Sequence, residues 1–196
     1  MKAEDLLNKL AEFGLPVFTT SDVSGIIGKE AIYTKNFLAL LVKRKCIEKI
    51  ERGKYCIIGT NPYIIASRLA KGSYVALLSA ARFHNITTQM PSEITVFTAR
   101  NHRSAKIKGN YSIKFVRVNK KILYGFREYN GAYVSEIEKI FVDDIYYHKS
   151  LFYTEELETA AKKGILDRKR LKRYATETKN KWIIRAVNSA LANLQI

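Results

Sequence analysis

Lys35, Asn36 and Ala39 stand within five positions of one another, and on a helix they share one face with Ile32 and Lys43. A slim face carrying donors is what a helix needs to approach base edges in the major groove of double-stranded DNA. Asparagine can pair bidentately with adenine, and lysine can donate to guanine or to phosphate. Lys29 and Tyr33 flank the start of this face, and Arg44 follows Lys43 one to two turns beyond Asn36, placed to meet phosphates. Further on, Arg52-Gly53-Lys54 sets two cations on a tight turn able to reach the minor groove or the backbone. Two alternatives stay open: a solvated basic face on a helix that only packs, and a surface for RNA or protein.

A second basic group follows. Between Ile94 and Arg127 there are nine Lys/Arg and no acid. Arg100, His102, Arg103, Lys106 and Lys108 crowd a predicted loop, either as extra phosphate contacts or as a solvated, variable segment. Catalytic readings fare worse. Ser79 and His84 lie five apart on one predicted helix, which points them away from each other. Glu136, Glu138, Asp143 and Asp144 invite comparison with a metal-dependent nuclease, but such sites usually set acids across adjacent strands. Here the acids fall on a helix, with Glu136 and Glu138 in its first turn, where the helix dipole favours them. No phosphate-binding glycine loop or dinucleotide fingerprint is present. Cys46 and Cys56 are too few for a disulfide framework, and three histidines offer little help toward a metal site. The expectation is therefore a protein without catalytic residues, cofactor or metal. The alternative is a nucleic-acid-processing enzyme whose N-terminal part delivers a catalytic C-terminal domain.

The elements that must hold the first face read clearly. Leu6, Leu7, Leu10 and Phe13 recur at helical spacing from Glu4 to Phe13, closed by Gly14 and Pro16. Val17–Thr19 reads as extended. Thr20 or Ser21 is expected to cap a helix over 22–27, and Gly28 to make the turn. A third helix over 31–45 should bury Phe37, Leu38 and Leu41. Residues 46–58 alternate about Arg52-Gly53 as a hairpin. Helix, helix, turn, helix, hairpin is the order of a winged helix-turn-helix, placed at residues 1–60. Beyond Gly59–Pro62, residues 61–196 are expected to form a mixed α/β domain with a small antiparallel sheet and a helical C-terminus, α+β in class. Expected helices there cover 62–71, 74–84, 135–147 (opened by a capping box from Ser135 to Glu138), 154–163, 168–176 and 179–193. Expected strands cover 93–99, 111–119, 122–129 and 132–134, with a bulge at Phe115/Val116. Residues 151–196 are read as a helical tail, whose stripe from Trp182 to Leu194 could be core or a homodimer face.

Composition agrees with a globular chain that meets a polyanion. Of 196 residues, 47% are hydrophobic and 27% charged, and the net charge is +16. Residues 1–28 carry net −2 and residues 29–60 net +5, so positive charge begins where the recognition element begins. No apolar run reaches the ~18 residues of a membrane span. The charged start from Lys2 to Asp5 is unlike a secretory leader, so a cytoplasmic protein with no membrane partner is expected.

Four segments in this order resemble the AbiEi family of antitoxins: the wing from Ile47 to Tyr55, Pro62–Leu69, Ser73–His84 and Glu138–Tyr147. The similarity covers about residues 1–150. The family usually has Gly after the histidine, where Asn85 stands here, and often Pro before the helical Glu-Lys, where Ile137 stands. The resemblance implies a winged-helix autorepressor of a type IV toxin–antitoxin, phage-defence locus. Its C-terminal domain would counter a nucleotidyltransferase toxin, and its operator is expected to be an inverted repeat.

Overall fold

The structure, a computed structural model, describes residues 2–107 and 111–194. The N-terminal unit runs α1 (Ala3–Glu12), β1 (Val17–Thr19), α2 (Thr20–Ile27), α3 (Ala31–Lys43), β2 (Ile47–Glu51) and β3 (Lys54–Ile57). Its three strands are antiparallel in the order β1-β3-β2, with Phe18 opposite Tyr55. Leu6 and Leu10, one helical turn apart, point into a core shared with Phe18, Val23, Leu38, Leu41, Ile47 and Tyr55. This is the expected winged helix-turn-helix, with three local differences. The cap of α2 is Thr19 rather than Thr20 or Ser21: its hydroxyl accepts from Asp22 N at 3.2 Å while the Asp22 carboxylate accepts from Thr19 N at 2.7 Å. Helix α3 stops at Lys43, because Lys45 takes φ +55° and turns the chain toward β2. Phe37 is only half-buried and stacks on Tyr33 at 6.4 Å, and Thr34 joins Leu38 and Leu41 inside instead.

The second part is built on a six-stranded sheet. Its strands are β4 (Tyr74–Val75), β5 (Glu93–Thr98), β6 (Ala105–Ile107), β7 (Tyr111–Arg117), β8 (Phe126–Tyr129) and β9 (Ala132–Ser135), in the order β6-β7-β5-β4-β9-β8. Two neighbouring pairs, β5/β7 and β4/β9, are parallel, so this sheet is larger and more mixed than the small antiparallel one expected. Helices α4 (Pro62–Arg68), α5 (Leu77–Phe83) and α6 (Ile137–His148) accompany it, followed by α7 (Thr154–Lys162), α8 (Arg168–Glu177) and α9 (Lys181–Asn193). The α+β class is as expected.

Several expectations fail here for physical reasons. Tyr74 and Val75 do not begin a helix. They form a short strand between β5 and β9, buried on both faces, and such a strand cannot be told from a buried helix by periodicity. Residues 105–107, read as loop, pair with β7 at the sheet edge. Residues 122–125 are not extended: Lys120–Ile122 is a 3₁₀ turn, capped by the Asn119 side chain. No bulge interrupts β7, which stays in step with β5 from Glu93↔Ser112 to Thr98↔Arg117. Phe115 and Val116 are both partly buried against the core, so apolar residues stand on both faces of that strand. Ser135 ends β9 instead of capping α6, whose N-cap is Glu136, and the Glu138 carboxylate accepts from Asp167 N at 2.8 Å rather than turning back.

The C-terminal helices are part of the second core rather than an appended tail. Ile183, Val187, Leu191 and Leu194 are buried in it with Leu171 and Ala175. The stripe considered as a dimer face is therefore largely spent inside the chain, leaving Trp182 44% exposed at its start.

Candidate nucleic-acid interface

Gly28 ends α2 at φ +63°, a left-handed conformation that glycine adopts without strain, and this sets the turn into α3. Around the turn, Ser24 Oγ donates to Lys29 O at 2.5 Å and Thr34 Oγ1 to Glu30 O at 2.9 Å, fixing the direction in which α3 leaves. With Thr34, Leu38 and Leu41 inside, the opposite face of α3 is solvent-facing. Ile32 is 72% and Tyr33 54% exposed, and Lys35, Asn36, Ala39 and Lys43 are exposed beside them. Helix α3 has 13 residues, about 20 Å at 1.5 Å per residue. That length suits a major groove ~12 Å wide. The side chains of Lys35, Asn36, Lys43 and Arg44 make no hydrogen bond or ion pair among the described residues, so their donors are free. Lys29 is exposed in the turn just before α3.

The wing is short. Gly53 at φ +76° makes the turn between β2 and β3, and Thr20 N donates to Gly53 O at 3.1 Å, tying the tip to the start of α2. Arg52 is exposed at that tip. Lys54, expected beside it, turns inward instead. Its ammonium donates to Leu69 O at 2.5 Å and pairs with Glu51 at 2.7 Å. The cause is the C-terminal end of α4, whose last carbonyls lack helical partners and draw a cation. Replacing Lys54 with Met is expected to cost about 1–3 kcal/mol of folding stability, read as a lower denaturation midpoint. The salt dependence of any DNA binding should stay unchanged, whereas a flattened slope would place Lys54 on phosphate after all.

The second basic group is divided. Arg100, Arg103 and Lys106 are exposed, with Lys106 beside the groove between β2 and the sheet edge. Lys108 lies outside the described residues. His102 is drawn away from solvent: its ring lies 4.0 Å from that of Phe115, and its Nε2 stands 3.4 Å from the Glu51 carboxylate of the wing. It joins the wing to the second sheet, a role that only the pairing of β6 with β7 makes visible.

The residues considered for catalysis are held by structural partners. Ser79 Oγ donates to Glu93 O and accepts from Thr95 N. His84 bonds Ser135 O at 2.8 Å, and burial pushes its imidazole below the usual range. Glu136 meets Arg127, Arg170 and Tyr174, and Asp144 accepts from Phe152 N and Tyr153 N and contacts His148. Asp143 is sealed with Lys139 and Tyr74. Among the described residues no group of three or more His, Cys, Asp or Glu is arranged to hold a metal ion. Nor is any described helix long and apolar enough to cross a membrane.

Residues 5–58 match the model of a family described as "Transcriptional regulator, AbiEi antitoxin". The matched span begins in α1 and runs through β3, so it covers the helix-turn-helix, the α3 face and the wing. This match supports a DNA-binding regulator role. No curated protein matches the chain.

Proposed function

We propose that this protein is a sequence-specific repressor that binds double-stranded DNA and regulates its own promoter as the antitoxin of a type IV pair. The observation that carries this reading is the free donor face of α3, set on a helix-turn-helix whose residues match an antitoxin regulator family. In this reading α3 lies in the major groove. Asn36 and Lys35 read base edges, Ile32, Tyr33 and Ala39 make apolar contacts such as those to thymine methyls, and Lys29, Lys43, Arg44 and Arg52 hold phosphates. Arg103 and Lys106 extend the phosphate contacts from the second sheet. The operator is an inverted repeat bound by two copies, and residues 61–196 oppose a nucleotidyltransferase toxin. Each acid once considered for metal chemistry has a structural partner, which favours regulation over nucleic-acid processing.

A reporter driven by the DNA upstream of the coding sequence tests this reading, with the chain and the adjacent candidate toxin expressed in turn. Repression by the chain and relief of toxicity by its co-expression are expected. An unrepressed reporter would overturn the operator role, and undiminished toxicity the antitoxin role.

The two parts are also expected to divide the work unequally. A fragment ending at Thr60 keeps the core of the N-terminal unit. It loses the Lys54–Leu69 bond and uncovers Cys56, Val17 and Ile50, which pack on the second core. Such a fragment is expected to prefer operator over scrambled DNA with weaker affinity and a lower denaturation midpoint than the full chain. Titration of both DNAs checks this, and a fragment without preference would make the whole chain the binding unit.

A further inference from the structure

Between the N-terminal unit and the second sheet lies a cleft of about 790 Å3. One wall comes from Leu15, Val17 and Thr19; the other is the turn from Arg68 to Ser73 with Phe126 and Tyr133. Four cations line it, Lys54, Arg68, Lys71 and Arg100, against one acid, Asp22. Two of the four are engaged. Lys54 is bound as above, and Arg68 donates to Gly131 O at 2.8 Å and pairs with Glu128 at 3.0 Å. Lys71 and Arg100 are exposed and make no ion pair among the described residues. Asp22 is occupied by Thr19, whose backbone N–H and hydroxyl both donate to its carboxylate.

A concave surface with apolar walls and an excess of one charge concentrates the field within it and raises the local concentration of the opposite ion. The volume falls in the ~300–1,000 Å3 of small-ligand sites, which favour junctions between domains. Phe126 and Tyr133, both half-buried and 6.3 Å apart, provide an aromatic side. Two cations without an ion pair among the described residues, Lys71 and Arg100, facing a single carboxylate already held by Thr19, suit a dianion better than a monocarboxylate.

We propose that this cleft binds a small organic phosphate with an aromatic body, of the nucleoside monophosphate class, its phosphate held by Lys71 and Arg100 and its ring lying against Phe126 and Tyr133. Because the walls belong to both units, the bound molecule bridges them and biases the angle at which α3 is presented. Linkage then requires ligand and DNA to alter each other's affinity by the same factor. That coupling rests on the DNA reading given above, whereas binding of the phosphate does not.

The test is calorimetric titration of the full chain with adenosine and cytidine monophosphates, with inorganic phosphate and adenosine as partial probes, in the absence of DNA. Saturable binding of a monophosphate is expected, weaker by about tenfold or more for either partial probe. The double variant Lys71→Ala/Arg100→Ala should weaken it by about tenfold or more, and since both side chains are exposed and unpaired its denaturation midpoint should match the wild type. No saturable binding at millimolar ligand, or binding that the double variant leaves intact, would overturn the proposal. So would a double variant whose only change is a shallower salt dependence of DNA binding, because the cations would then serve the nucleic-acid backbone.

Discussion

Lys139→Met is expected to lower folding stability by about 3–5 kcal/mol, the range for removing one partner of a buried ion pair. Lys139 and Asp143, one turn apart on α6, are both wholly buried and in direct contact, and the Tyr74 hydroxyl bonds the carboxylate at 3.0 Å. The ammonium lies 4.7 Å from the centre of the Tyr124 ring, and its stem packs where a side chain at Gly125 would collide at 3.1 Å. Burial pushes the Asp143 carboxyl up to about 6 and the Lys139 amine down, while the charge of each favours the charged form of the other. A carboxyl raised in the folded state contributes stability that is full below its unfolded value near 3.8 and lost as pH rises through about 6. Lys139→Met leaves that carboxylate unpaired, so its stability should fall further as pH climbs past about 6 than the wild type's does. The double variant Lys139→Met/Asp143→Leu is expected to recover most of the loss, since apolar replacement of a buried pair is often neutral. Chemical denaturation of the three proteins at pH 5 and pH 7.5 checks this, and equal stability of the single variant and the wild type would show that the pair is not sealed.

The second large effect lies on α3. Asn36→Ala is expected to lower discrimination between operator and scrambled DNA by about 1–3 kcal/mol, because a bidentate base contact is lost. Lys43→Ala should weaken binding to both DNAs equally and reduce the salt slope by about 0.9, one phosphate contact. Neither side chain has a hydrogen-bond or ion-pair partner among the described residues, so neither variant should move the denaturation midpoint. Equal losses on both DNAs for Asn36→Ala would remove it from base recognition.

The N-terminal unit was legible because its signals are local. Leu6 and Leu10 repeat at helical spacing, Gly28 and Gly53 stand where positive φ is required, and positive charge begins at α3. The second part depends on contacts distant in sequence. Tyr74 and Val75 become a strand only because β5 and β9 flank them, and Ala105–Ile107 only because β7 lies alongside. Lys54 resembles a wing-tip cation until α4 brings the Leu69 carbonyl to it, fifteen residues away. His102 likewise resembles a solvated loop residue until Phe115 and Glu51 enclose it. Arg170, one of five cations among residues 168–173, turns inward to Glu136 and Glu138. In each case the residue type is what the sequence suggests, and the partner that decides its role comes from another element.

Titration of the full chain against its own upstream DNA and a scrambled duplex of equal length, at several salt concentrations, tests most directly whether the α3 face reads sequence. The expected result is a preference for the upstream DNA that persists as salt rises, with affinity for both falling steeply, since base contacts are less salt-sensitive than phosphate contacts. Equal affinity for the two duplexes at every salt concentration would contradict it and leave α3 as a basic surface without sequence recognition.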